Sequence, residues 1–143
     1  MRAPRVVAWL GYGGLFPFVT LAIAAWVDSS HSSLWRDALL AYGAVILSFV
    51  GALHWGFAMS QSDMTTNQRT RSFVWSVVPS LLAWVALLMT PKYAIMLLVA
   101  GFLSHFWQDR RLVHLVTLPA WYLPLRSRLT FVAVLSLISS YFS

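Results

Sequence analysis

Five apolar blocks, parted by polar breaks of only a few residues, leave this chain little choice of fold. The first runs from Val6 to Val27 and ends at Asp28-Ser29-Ser30-His31. The second runs from Ala38 to Met59 and stops at Ser60-Gln61-Ser62-Asp63. The third, Ser72 to Thr90, is followed at once by Pro91-Lys92, enough for a tight turn. The fourth extends from Tyr93 to Trp107, before Gln108-Asp109-Arg110-Arg111. The fifth, Leu129 to Phe142, is short and falls below a full span unless it begins nearer Leu123, tilts, or sits where the bilayer thins. A hydrocarbon core about 30 Å thick needs about 20 residues of helix, so these blocks have the scale of membrane spans. With 59% hydrophobic and 10% charged residues and a mean hydropathy of +0.72, too few charges exist to coat a soluble globule, which carries roughly 25%. The absence of cysteine excludes a disulfide-built secreted module.

The expected fold is therefore all-α: one integral membrane domain of five helices, over residues 6–27, 38–59, 72–90, 93–107 and 125–142. A barrel would need alternating ten-residue segments, which are missing, and open strands would leave backbone groups unsatisfied in lipid. The first block also imitates a secretory signal, with Arg2 and Arg5 before it and Ala22-Ile23-Ala24 near its end. Its length, its Gly- and aromatic-rich start and its internal Pro17 read as a true span.

Five spans place the N-terminus, the second loop and the fourth loop on one side, with Arg2, Arg5, Arg69, Arg71, Arg110, Arg111, Arg126 and Arg128. The other side has Arg36 and Lys92. That asymmetry predicts an inside N-terminus and an outside C-terminus. It also gives the net charge of +6 a meaning other than nucleic-acid binding, because the arginines sit in short juxtamembrane loops suited to anionic headgroups. Between Leu112 and Arg128, Arg111, His114 and Thr117 recur at helical spacing among leucines and valines. This predicts a short interfacial helix ended by Pro119 and Pro124, with Trp121-Tyr122 at headgroup depth.

At 100° per residue the second span has two faces. Gly43, Ala44, Leu47, Ser48, Gly51, His54, Trp55 and Ala58 form the small-residue face, and Tyr42, Val45, Ile46, Phe49, Leu53 and Phe57 the bulky one. Ala44, Ser48, Ala52 and Gly56 repeat every four residues, a spacing that lets helix backbones approach closely. The fourth span groups Leu97, Leu98, Gly101, Ser104, His105 and Gln108, with Asp109 at the edge. His54 and His105 are expected at similar depth. Pro79 is expected to kink the third span.

Ionisable groups inside a membrane are costly, so each is a functional candidate. The ordinary role of a histidine on a packed helix face is to bond a neighbouring carbonyl or serine; ligand contact, proton handling and ligation of haem b by the pair are the alternatives. Gly51 and Gly101, three and four residues before the histidines, would leave room for an apolar ligand or a flat macrocycle. Asp109 reads most simply as part of an interfacial cluster with Arg110 and Arg111, though it is placed to orient His105 or to pair with Arg126. Without glutamate or cysteine, and without HExxH, GxSxG or GxxxxGK, hydrolysis and phosphoryl transfer are not expected. Gly11-Tyr12-Gly13-Gly14 reads as a close-packing or helix-breaking segment. Of eight tryptophans, Trp9, Trp26, Trp35, Trp75, Trp107 and Trp121 fall near span ends, while Trp55 and Trp84 lie deeper.

Several strings together resemble an uncharacterised family of small bacterial inner-membrane proteins whose mitochondrial relatives include transmembrane protein 69. They are Leu10-Gly11-Tyr12-Gly13-Gly14-Leu15-Phe16-Pro17-Phe18, Ser48-Phe49-Val50-Gly51-Ala52-Leu53-His54-Trp55-Gly56, Pro79-Ser80-Leu81-Leu82-Ala83-Trp84, and Asp109 with Trp121-Tyr122, Leu125-Arg126 and Leu129-Thr130. The resemblance implies a multi-pass protein of the bacterial inner membrane, or of the mitochondrial inner membrane in a eukaryote, and supplies no activity. The reading of the residues is a non-enzymatic binding or accessory protein. Its site is an inner-leaflet cleft formed by His54, Trp55, Gly51, Gly101, His105, Asp109 and Arg126, open to a lipid or quinone. The alternatives are a structural subunit of a larger membrane complex or homo-oligomer, and a b-type haem protein.

Overall fold

The computed structural model describes residues 2–143, and every regular element among them is helical. The helices are α1 (Arg5–Gly13), α2 (Phe16–Val27), α3 (Ser32–Ser60), α4 (Thr66–Leu87), α5 (Pro91–Leu115) and α6 (Tyr122–Tyr141), with a 3₁₀ turn at Ser29–His31 before α3. Arg5–Val27, Ser29–Ser60, Thr66–Leu87 and Tyr122–Tyr141 are long and apolar enough to cross a membrane. This is a multi-pass membrane protein. α5 has the length, at 25 residues, but His105, Gln108 and Asp109 dilute its apolar character.

The first span is broken where its sequence predicts weakness. Gly13 and Gly14 are poor helix formers, and Pro17 has no N–H to offer the Gly13 carbonyl, so α1 ends and α2 restarts. Tyr42 donates to the Gly14 carbonyl at 2.6 Å, so α3 satisfies a group the break sets free. Farther along, α4 starts with a full capping box: Thr65 Oγ1 accepts from the Gln68 N–H, and Gln68 Oε1 accepts from the Thr65 N–H. Arg69 donates to the carbonyls of Ala58 and Gln61, tying off the end of α3. At the opposite end of the bundle, Arg36 donates to the Ser140 carbonyl in the last turn of α6 and to the backbone oxygen of Ser143 just beyond it. There Asp28, outside the spans, accepts from the Ser30 hydroxyl and the Trp35 indole and meets His31. Those contacts, the Ser30 bond foremost, hold its carboxyl at about 2, below the ordinary 3.8.

Two expectations give way. No separate interfacial helix forms, because nothing between Trp107 and Leu115 breaks a helix; α5 runs on to Leu115, and Leu112 and Val116 pack with Met64 beneath the α3–α4 loop. The last span is not short: α6 starts at Tyr122, with Pro124 in its first turn, where a missing N–H costs nothing, and extends for 20 residues.

The core is built around Leu39, Leu47, Leu98, Phe102 and Leu137, all 0–2% exposed. The helix-packing line on α3 is not the four-residue repeat. Gly43, Ala44, Leu47, Val50, Gly51, His54 and Ala58 are buried, whereas Ala52 and Gly56 are exposed and Ser48 is only partly covered. A strict four-residue repeat drifts by about 40° per step around a helix, so its far end rotates away from the neighbours. Where α3 and α4 touch most closely, a Cβ on Gly51 would sit 2.8 Å from the Pro79 ring. We expect Gly51→Ala to destabilise the fold by about 1–3 kcal/mol through overpacking. Gly56→Ala, with no atom within 4 Å of its new Cβ, should gain up to about 1 kcal/mol of helix propensity. Unfolding in detergent micelles measures both, and equal effects would contradict this packing.

Candidate functional site

Three helices converge on one carboxylate. Asp109 on α5 is fully buried. Its Oδ1 accepts from His54 Nε2 on α3 at 2.9 Å and from the Tyr122 hydroxyl at the start of α6 at 3.0 Å. Its Oδ2 accepts from Arg126 Nε, one turn further along α6, at 3.0 Å. The Tyr122 hydroxyl on Oδ1 and the Arg126 Nε–H on Oδ2 suit an ionised carboxylate, and His54 then carries its proton on Nε2. Burial of a charge in lipid is tolerable only with such compensation, and Arg126, 5% exposed, makes the pair formally neutral.

His105, one turn before Asp109, belongs to the same cluster through a different bond. Its Nε2 lies 3.7 Å from Asp109 Oδ2, too far for a hydrogen bond. Its Nδ1 accepts from the Trp75 indole N–H on α4 at 3.0 Å. An indole N–H can only donate, so Nδ1 carries the lone pair and the neutral ring carries its proton on Nε2. The Trp75 and His105 rings are near-parallel, and the His54 and His105 ring centroids lie 4.8 Å apart. Phe57 packs edge-on against Tyr122 and tilts against His54, closing the cluster at the side of α3.

His54, His105, Asp109 and Arg126 thus come together, and the remaining expected site residues do not join them. Asp109 is no interfacial charge beside Arg110 and Arg111; those two are exposed and it is sealed inside. Trp55 is 47% exposed and packs against Phe73, one position around the helix from His54 and therefore turned away. Neither glycine leaves a gap. Gly51 is filled by Pro79, and a Cβ on Gly101 would sit 2.7 Å from Leu47. With ring centroids 4.8 Å apart and Asp109 on His54 Nε2, the histidines as arranged leave no gap for a macrocycle between them. Donor atoms of His54, His105 and Asp109 do lie within 4.8 Å of one another. A cation there would lie beside the Arg126 guanidinium, and it would meet an Nε2–H on His105 as long as Trp75 donates to Nδ1.

Trp75 and Tyr122 are the members that sequence reasoning missed, since both fit headgroup-depth positions. The available signal was Tyr122 standing four residues before Arg126, on one helix face.

A cavity of about 370 Å³ opens between α4 and α5 and reaches His54. Val74, Trp75, Val78, Leu112 and Leu115 make its walls apolar, while Gln68, Arg71, Gln108 and Arg111 add polar groups. The prediction for the cluster itself concerns charge. Arg126→Met should destabilise the protein by about 3–5 kcal/mol, because it strands a buried carboxylate. Adding Asp109→Asn should recover much of that loss, since the amide oxygen still accepts from His54 and Tyr122. Unfolding in micelles reads both; a double variant weaker than Arg126→Met would refute the pairing.

A family model described as "Protein of unknown function (DUF3429)" matches residues 3–142. Transmembrane protein 69 of Xenopus tropicalis is 37% identical over 142 residues, covering 96% of this chain and 54% of that protein. Transmembrane protein 69 of Mus musculus is 27% identical over 140 residues, covering 96% of this chain and 56% of that one. The chain spans about half the length of the curated relatives it matches. No solved structure matches it.

Proposed function

The chain belongs to the DUF3429 family, of unknown function, and on that footing we propose that it is a non-enzymatic binding or accessory protein whose α4–α5 groove takes a membrane amphiphile. The observation that carries this reading is the combination of an apolar wall, buried His54 in the lining, and the exposed cations Arg71 and Arg111 in one cavity. An acyl chain or isoprenoid tail fits the wall, and a polar head fits the remainder. Arg71 and Arg111 favour a head with negative charge, so a lipid is preferred over a neutral quinone. A binding role also accords with the cluster behind the groove. Asp109, the one carboxylate in that cluster, is committed on both oxygens and is held in place there.

In this reading the arginine-bearing end faces the cytoplasm of a bacterium or the matrix of a mitochondrion, with five crossings. The test is extraction of lipids and quinones from the purified protein, followed by mass spectrometry. The wild type should retain an anionic lipid above its share in the surrounding membrane, and Val78→Trp, which fills the groove, should lose that enrichment. An extract matching the bulk membrane in both proteins would overturn the proposal.

Exposed Ala52 and Gly56 on α3 favour a second reading, a structural subunit that offers this edge to a larger assembly. Native electrophoresis from mild detergent separates the two. Migration solely at monomer size contradicts the assembly reading and leaves lipid binding intact.

A further inference from the structure

A second cavity touches the cluster through Arg126 and has no residue of α4 in its wall. It holds about 100 Å³ between the α1–α2 break, α3, α5 and the first half of α6. Gly14, Phe18, Val50, Phe102 and Ala133 make the wall apolar. Two residues of its lining, Arg126 and Thr130, are polar and stand out against it. Arg126 Nη2 and, one helical turn later, Thr130 Oγ1 have no hydrogen-bond partner, and both residues are at least nine-tenths buried, at 5% and 3% exposure. Unpaired buried donors are costly, and two of them beside one cavity call for an acceptor there.

The chemistry of the wall narrows what that acceptor is. Arg126 is already neutralised by Asp109, so a second anion would be buried without a counter-charge; a neutral oxygen avoids that cost. The volume admits only a few heavy atoms. Leu10 and Phe49, 73% and 64% exposed, line the same cavity and mark its edge on the lipid-facing surface. We propose that this cavity holds the neutral carbonyl head of a membrane-resident molecule. Arg126 Nη2 and Thr130 Oγ1 donate to the carbonyl oxygen, and the tail leaves past Leu10 and Phe49 into the bilayer. A quinone ring carbonyl and a glycerolipid ester carbonyl share this chemistry. The inference stands apart from the groove reading, because the two cavities have no lining residue in common.

Delipidated protein in mild detergent, analysed by native mass spectrometry, provides the test. The probes are a decyl-substituted benzoquinone, a diacyl phosphatidylcholine, and decane as a tail without an acceptor. The wild type should retain one quinone or one phosphatidylcholine, whichever source is correct, and should not retain decane. Thr130→Val, which keeps the shape and removes the hydroxyl, should weaken retention about fivefold, the loss of one hydrogen bond. Gly11→Leu, whose new side chain starts beside Leu129 in the cavity wall, should abolish retention while Val78→Trp leaves it unchanged. Unfolding transitions of the variants at the wild-type temperature establish that they are folded. The proposal fails if no carbonyl probe is retained, as when water alone meets the two donors. It fails equally if Thr130→Val and Gly11→Leu, both folded, bind as the wild type does.

Discussion

A carboxylate buried in the apolar interior of a membrane bundle must collect its donors from the surrounding helices, and Asp109 does so from α3 and α6 at once. Between apolar helices in lipid there is little hydrophobic drive to associate, so close packing and such bonds specify which faces meet. The carboxylate also fixes register. His54 meets it only if α3 sits at the depth the structure shows, and Tyr122 and Arg126 meet it only if α6 begins where it does. The tight contacts of Gly51 with Pro79 and of Gly101 with Leu47 are set by that same alignment.

From this hub the functional geometry follows in two directions. His54 faces the α4–α5 groove, and Arg126 faces the smaller apolar cavity beside the α1–α2 break. Neither cavity reaches Asp109 itself, which stays sealed and is best understood as the group that holds its two neighbours in place. Each cavity therefore has a wall of lipid-like character and a polar contact whose orientation the carboxylate sets.

Four apolar spans were legible in the sequence because bilayer thickness acts on each helix separately and needs no knowledge of the others. The presence of His54, His105, Asp109 and Arg126 in one site was also legible as candidates, since any ionisable group among apolar residues draws attention. The identity of the contacts was not. A helical wheel places His54 on a packed face, yet it cannot say that Trp55 at the edge of that face turns toward Phe73 instead. Glycines read the same whether a ligand or a neighbouring side chain fills the notch, and here Pro79 and Leu47 fill both. Tyr122 and Trp75 were hidden because an aromatic residue near a span end is usual at headgroup depth, whatever its partner. The interfacial helix failed for a related reason: the periodicity at Arg111 and His114 was real, but it continued α5, which ends at Leu115 before Thr117 is reached.

The bundle is organised around a carboxylate, Asp109, that is ionised inside it. Infrared difference spectroscopy between the wild type and Asp109→Asn in lipid bilayers at neutral pH reads this directly. Loss of a carboxylate stretching band, with no change in the region of protonated carboxyl groups, is the predicted result. Loss of a protonated carboxyl band instead would contradict it, for buried Arg126 would then have no counter-ion in Asp109.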